Sequence, residues 1–252
     1  MNIVTQVNQW QSLRKKLTLQ RIGFVHTMGH LHAGHLSLCA RSQAENDLTV
    51  VAIFVNPTQF NEAKDLLSYP RTLAADKALL TVQKVDYLLL FSEPAIYIDG
   101  YDIQVQDKSE LSTCFEGAFR PGHFSGMLTV VLKYLNLVQP TRAYYGEKDY
   151  QQLMLIKKLA KALFLEVEIM GCPTVRAEDG LALSSRNSRL TPQQRQKAAS
   201  FAQLLQKKQA IEKTVQSLID FGFRIDYVAD YQGRRLAAVW LDDVRLIDNQ
   251  PI

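Results

Sequence analysis

Apolar residues in the first two-thirds of the chain fall in short unbroken runs separated by segments of helical period. Residues 48–55 read Leu-Thr-Val-Val-Ala-Ile-Phe-Val, as expected of a strand buried on both faces of a parallel sheet. Strands of the same kind are predicted over 22–25, 86–91, 142–145 and 166–170, and helices over 33–45, 72–83, 125–137 and 150–163. Strand–helix alternation of this sort implies right-handed crossovers and a doubly wound α/β sheet. The pattern changes near Pro173. Thr191-Pro192-Gln193-Gln194 opens a helix with a capping residue and a proline in its first turn. Helices over 192–208 and 211–221 then precede three short strands, 225–231, 235–241 and 244–247, a small α+β arrangement. Two domains are expected, 1–173 and 174–252.

In such sheets ligands bind beyond the carboxyl ends of the strands. The polar loops there are 26–35, 56–65, 146–149 and 173–187. The first holds four of the chain's five histidines, His26, His30, His32 and His35. His32-Ala33-Gly34-His35 places two imidazoles at a helix start, where unpaired N–H groups and the positive end of the helix dipole favour a phosphate. Gly34 lets a nucleotide approach the backbone. A zinc site is set aside because no cysteine, aspartate or glutamate lies close enough in sequence to complete a familiar ligand set.

Composition narrows the function classes. The 252 residues are 47% hydrophobic and 21% charged, ordinary for a globular protein. The net charge of +4 comes without any block of like charges, which argues against a nucleic-acid-binding protein, as does the lack of an aromatic stacking platform. Three widely spaced cysteines suggest no disulfide framework. No apolar run approaches the ~18 residues needed to cross a bilayer, and Met1-Asn2-Ile3-Val4-Thr5-Gln6 lacks the pattern of a secretory signal. A cytoplasmic protein without membrane or nucleic-acid partners is expected. No Gly-x-Gly-x-x-Gly follows the first strand, so a nicotinamide enzyme is disfavoured.

The His-x-Gly-His segment resembles the signature of the nucleotidyltransferase superfamily. Three further segments sharpen the resemblance. One is Ile53-Phe54-Val55-Asn56-Pro57-Thr58-Gln59-Phe60 with Tyr69-Pro70-Arg71-Thr72. The second is Arg120-Pro121-Gly122-His123-Phe124 with Tyr145-Gly146-Glu147-Lys148-Asp149-Tyr150-Gln151-Gln152. The third is Pro173-Thr174-Val175-Arg176 with Asp179-Gly180-Leu181-Ala182-Leu183-Ser184-Ser185-Arg186-Asn187. In this order, over residues 22–190 and again over 238–249, the chain is similar to the pantoate–β-alanine ligase family.

The resemblance implies a Rossmann-like nucleotidyltransferase domain with a smaller α+β domain. It implies ATP-dependent ligation of pantoate and β-alanine through pantoyl adenylate, with Mg²⁺ accompanying ATP, in a homodimer. By motif match, ATP is expected on Met28, His32, His35, Gly146, Lys148, Asp149, Val175, Leu183, Ser184, Ser185 and Arg186. Of these, His32, His35, Lys148 and Arg186 carry the catalytic roles. Pantoate falls to Thr27, Met28, Gln59 and Gln152, and Asp76 is a candidate Mg²⁺ contact. The chain departs from the family pattern at His26, where proline is usual, at Leu183, where methionine is usual, and in a shortened carboxyl-terminal domain. A transferase acting on another acid or phosphate with the same fold is the alternative.

Overall fold

A computed structural model describes residues 1–252. The chain divides into two compact units. One comprises Met1–Leu31, His35–Gly146 and Gln151–Cys172, the other His32–Gly34, Glu147–Tyr150 and Pro173–Ile252.

The first unit is built on six strands, β1 (Asn2–Val4), β2 (Ile22–Thr27), β3 (Leu48–Ile53), β4 (Tyr87–Leu89), β5 (Arg142–Gly146) and β6 (Glu168–Cys172). All pair in parallel, in the order β1-β4-β3-β2-β5-β6. From β2 the chain winds outward through β3 and β4, then restarts at β5 on the other side. This is the Rossmann-like topology, and its switch point lies between β2 and β5.

Period-two alternation splits the strand residues between two cores. Phe24, Val50, Ala52, Ala143 and Tyr145 face a cluster that includes Trp10, Met127, Val131, Tyr134 and Ile156. Val25, Val51, Leu88 and Tyr144 face Leu38, Cys39 and Leu80. Helices α1 (Val7–Arg14), α4 (His123–Val138) and α5 (Tyr150–Ala162) therefore supply one face, and α2 (Ala33–Glu45) and α3 (Leu73–Val82) the other. Coverage on both sides is what allows near-continuous apolar strands.

The predicted central strands and helices are all present, with shifted ends. Strand β6 begins two residues later than expected, and α4 starts at His123, where Gly122 adopts a left-handed conformation (φ 80°). Thr72 and Gln83 are caps of α3 and lie outside its helical turns. Strand β1 and helix α1 are additions to the predicted set. A three-residue strand has too little pattern to read, and α1 has a polar sequence whose buried anchor is Trp10, its indole N–H donating to Leu137 O at 2.9 Å.

The second unit carries α6 (Pro192–Gln206), α7 (Ile211–Asp220) and the antiparallel meander β7 (Arg224–Tyr231), β8 (Arg234–Leu241) and β9 (Val244–Pro251). Helix α6 opens in a reciprocal capping box between Thr191 and Gln194. Gln232 and Gly233 both have positive φ (47° and 74°), as a tight hairpin turn matched to strand twist requires. Strand β9 runs four residues past its predicted end at Ile247. Phe201, Leu205, Leu218, Val239 and Leu246 form the core.

One residue of the first core is out of keeping with it. His26, near the end of β2, lies against Tyr134 with ring centroids 4.5 Å apart, and its Nε2 is sealed from solvent without a hydrogen-bond partner. Burial pushes its pKa down from 6.5 to about 4. The Tyr134 phenol beside it is pushed up, also by burial, and stays neutral. The unfolded chain binds a proton at His26 below pH 6.5 and the native chain only near pH 4, so stability falls as pH drops through this window. The full loss is about 3 kcal/mol at ~1.36 kcal/mol per pKa unit. Urea unfolding at pH 7 and pH 5 is expected to show a shallower loss in His26→Leu than in the unsubstituted chain. Equal losses would mean that His26 titrates normally.

Candidate active site

Strand β2 ends at Thr27, whose hydroxyl donates to Ala52 O (3.2 Å) and accepts the N–H of Gly29 (3.2 Å). The chain then turns through two left-handed residues, Gly29 (φ 82°) and His30 (φ 51°). A side chain at Gly29 would also start 3.1 Å from Asp76 Oδ2, so both backbone and space require glycine there. The turn exposes backbone N–H groups that no strand partner takes. Asp76, from the first turn of α3 and only 2% exposed, accepts those of His30 (3.0 Å) and Leu31 (2.8 Å), together with the Thr72 hydroxyl (3.2 Å). Asp76 is therefore a brace for the loop. Both of its oxygens serve protein donors in this arrangement. No group of three or more His, Cys, Asp or Glu side chains is placed to hold a metal ion.

The loop delivers the chain into α2. Gly34 N–H donates to Nδ1 of His32 at 3.2 Å, so the neutral ring carries its proton on Nε2 and presents that nitrogen as a donor. His35 stands half-buried on the first turn of α2. Helix start, imidazole donor and glycine are thus together as the sequence pattern requires.

After β3, Pro57–Gln59 forms a single 3-10 turn. It carries Gln59, a residue only 9% exposed, whose side-chain oxygen accepts from Asn56 Nδ2 (3.0 Å) and whose Nε2 points at Met28 Sδ (3.3 Å). Thr27, Met28 and Gln59, three of the residues expected to bind an acid, are therefore neighbours. The backbone of Gln59 is gripped as well. Its carbonyl accepts from His123 Nδ1 at 2.8 Å and Arg120 Nη2 at 3.3 Å. His123 Nε2 accepts in turn from Arg120 Nη1 (3.1 Å), so this histidine is the neutral Nδ1–H form. Glu116, 3.3 Å from Arg120, completes the group.

The Gln151-Gln152 pair divides. Gln151 is buried, its amide accepting from Glu116 N–H (3.0 Å) and donating to the carbonyls of Leu111 and Cys114. Gln152 is half-buried on the first turn of α5.

In the second unit, residues 175–183 form a short hairpin turning at Asp179-Gly180. Leu183 N–H donates to Val175 O (3.0 Å), and Arg195 pairs with Asp179 at 2.5 Å. Ser184 then caps the 3-10 turn Ser185–Arg189 by accepting from Arg186 N–H (3.2 Å), with Ser185 itself buried. Arg176 holds Asp248 by two bonds of 2.7 and 2.8 Å. Asn249 donates to the carbonyls of Glu147 (2.8 Å) and Lys148 (2.9 Å). The Arg234 guanidinium lies over the Tyr150 ring. Lys148 reaches only 3.9 Å from Asp149, a loose pair that leaves the ammonium for another anion. Asn56, Arg120 and His123 gain a role only from the structure. Their motifs are legible in the sequence, but which side chains grip the Gln59 backbone depends on the start of α4, which the apolar pattern places two residues late.

Comparison with known proteins gives the same direction throughout. A family model described as pantoate-beta-alanine ligase matches residues 2–251. The pantothenate synthetase of Legionella pneumophila (strain Corby) is 50% identical over 250 residues, 99% of both chains. That of Coxiella burnetii (strain RSA 331 / Henzerling II) is 49% identical over 249 residues, covering 99% of this chain and 96% of the other. Among solved structures, the Francisella tularensis pantoate-beta-alanine ligase complexed with beta-gamma ATP and beta-alanine superposes with a TM-score of 0.96. It is 43% identical, covering 100% of this chain and 97% of that one. The pantothenate synthetase of Thermus thermophilus gives 0.91 at 39% identity, covering 100% of this chain and 99% of that one. The chain belongs to the pantoate–β-alanine ligase family.

Proposed function

We propose that this chain makes pantothenate in two steps on the residues described above. A pantoate carboxylate oxygen attacks the α-phosphorus of ATP. The bond to the β-phosphate oxygen breaks, giving pantoyl adenylate and pyrophosphate. The neutral amine of β-alanine then attacks the acyl carbon, the bond to AMP breaks, and one proton leaves the nitrogen. ATP-dependent condensation of pantoate with β-alanine is the activity of the family to which the chain belongs. The family match over residues 2–251 carries the reading.

The residues account for the chemistry without a covalent nucleophile, since transfer at phosphorus depends on positioning and charge neutralisation. His32, through its Nε2–H, and His35, at the N-terminus of α2, donate to phosphate oxygens as negative charge moves onto the leaving pyrophosphate. Lys148 supplies a point charge, and Arg186 a planar pair of donors. Gly146, Asp149, Val175, Leu183, Ser184 and Ser185 complete the nucleotide contacts. Gln59 and Gln152 bind the oxygens of pantoate, while Thr27 and Met28 shape its pocket. Mg²⁺ enters with ATP as the substrate complex, held by phosphates and water. We also assign a cytoplasmic homodimer formed through the amino-terminal unit, a reading supported by the family resemblance.

Pyrophosphate–ATP exchange tests the first step, and AMP release on adding β-alanine tests the second. Exchange that ignores pantoate would exclude the reading. His35→Ala and Lys148→Ala are each expected to slow exchange by about 10² or more, the cost of a lost transition-state donor. Near-normal exchange in either variant would remove that residue from the list. Gln59→Ala is expected to raise the KM for pantoate about tenfold or more while leaving that for ATP within about twofold, as a lost hydrogen bond to a charged group does. Equal weakening of both substrates would indicate a folding defect.

A further inference from the structure

Two amides govern what the acid-binding side of the first unit can recognise, and their orientation is dictated from one end. The carbonyl of Gly126, in the first turn of α4, can only accept. Asn56 Nδ2 lies 3.2 Å from it, so that side of the Asn56 amide is its NH₂. Gly126 makes this approach feasible, because a Cβ there would sit 2.3 Å from the backbone oxygen of Thr58. The other proton on Nδ2 goes to Gln59 Oε1 at 3.0 Å. Gln59 must therefore turn its own NH₂ the other way, towards Met28 Sδ at 3.3 Å. Sulfur is a weak acceptor, which a substrate oxygen displaces with gain.

The far side of Asn56 needs donors to match. Oδ1 accepts from the Tyr97 phenol at 2.6 Å and lies 3.0 Å from the Thr58 hydroxyl, which is itself 3.0 Å from the phenol oxygen, so the three form one closed group. The phenol is buried, at 5% exposure, and burial holds it protonated. Tyr97 follows the short helix Glu93–Ile96. It is fixed from behind by Lys133, whose ammonium lies 4.9 Å from the ring centre while bonding Ile96 O (3.1 Å) and Asp99 (2.5 Å).

We propose that Tyr97 is a positioning residue for the acid substrate: its phenol clamps the Asn56 amide that the Gly126 carbonyl has oriented, so that Gln59 stays in place offering an N–H and never an oxygen. The group that Gln59 meets is then a carboxylate or hydroxyl oxygen acting as acceptor, and a substrate presenting a donor at this point is refused. The inference rests on the proposed role of Gln59 in binding pantoate and adds the clamp that holds that oriented amide in place. Tyr97 touches no substrate. It acts through Asn56 at one remove.

The test is steady-state kinetics of the full chain with pantoate, β-alanine and ATP each varied, for Tyr97→Phe, Gln59→Ala and the double variant, with thermal unfolding of each. Tyr97→Phe is expected to raise the KM for pantoate about five- to tenfold, with kcat and the KM for ATP within about twofold. In the Gln59→Ala background the same change is expected to add nothing, because the amide it holds in place is gone. Thr58→Val, which removes the second hydroxyl on Asn56 Oδ1, is the alternative variant if Tyr97→Phe does not fold, and should move pantoate KM in the same direction. Multiplicative effects in the double variant, or a rise in KM for both substrates, would assign Tyr97 a packing role only and overturn the proposal. If Gln59→Ala raises the pantoate KM but neither hydroxyl variant does, the clamping role alone fails. If Gln59→Ala itself leaves the pantoate KM unchanged, the assignment of Gln59 fails and the inference with it.

Discussion

The structure of the first unit depends on what happens to the backbone N–H groups released when β2 leaves the sheet. Inside a parallel sheet each such group has a strand partner. Past Thr27 there is none, and the turn through Gly29 and His30 would bury donors at a cost of about 1–3 kcal/mol for each one left unpaired. Asp76 removes that cost by accepting two of them from α3. A carboxylate bonded to backbone N–H groups makes a strong, directional brace. It fixes where α2 begins, and so where the His32-Ala33-Gly34-His35 segment stands. The left-handed conformation at His30, unfavourable for a residue with a Cβ, persists because this bonding over-determines the turn.

The same constraint runs through the Gln59 region, where almost every polar group has a single permitted orientation. A backbone carbonyl sets Asn56, Asn56 sets Gln59, and a neutral His123 with Arg120 holds the Gln59 carbonyl. Buried networks of this kind are costly when partly satisfied and rigid when complete. Here completeness leaves one donor facing only a sulfur. Recognition by an amide whose rotation is already fixed loses less entropy on binding than recognition by a free side chain.

Much of this is legible in the sequence, for reasons that differ by element. The strands of the central sheet are readable because burial on both faces forces unbroken apolar runs, as in residues 48–55. Helix α6 is readable from its capping threonine and the proline that follows it. The histidine segment and the Ser184-Ser185-Arg186 turn stand out as motifs, and family resemblance gives them roles. Strand β1 and helix α1 are not legible, because three residues carry no period and α1 is anchored by Trp10 through a contact 127 positions away. The bracing role of Asp76 is hidden for a related reason. The family resemblance suggests a metal contact for Asp76, and only the folded chain shows which backbone donors it holds. Tyr97 lies in a stretch without periodicity, so nothing local marks it.

The residues proposed for the acid lie in one unit, and those proposed for the nucleotide are drawn from both. Thr27, Met28, Gln59 and Gln152, assigned to the acid, all belong to the first unit. Of the residues assigned to the nucleotide, Met28, His35 and Gly146 belong to the first unit, and His32, Lys148, Asp149, Val175, Leu183, Ser184, Ser185 and Arg186 to the second. The chain passes from the first to the second at Leu31–His32, at Gly146–Glu147 and at Cys172–Pro173, the first two just beyond the ends of β2 and β5, the strands that flank the switch point. A doubly wound sheet leaves a crevice only there, because only there do successive crossovers depart to opposite faces. Segments that leave the sheet at that point are the ones free to join another compact unit without breaking a strand pairing. The topology thus accounts for the two short segments grouped with the second unit, His32–Gly34 and Glu147–Tyr150, each following a strand that flanks the switch point.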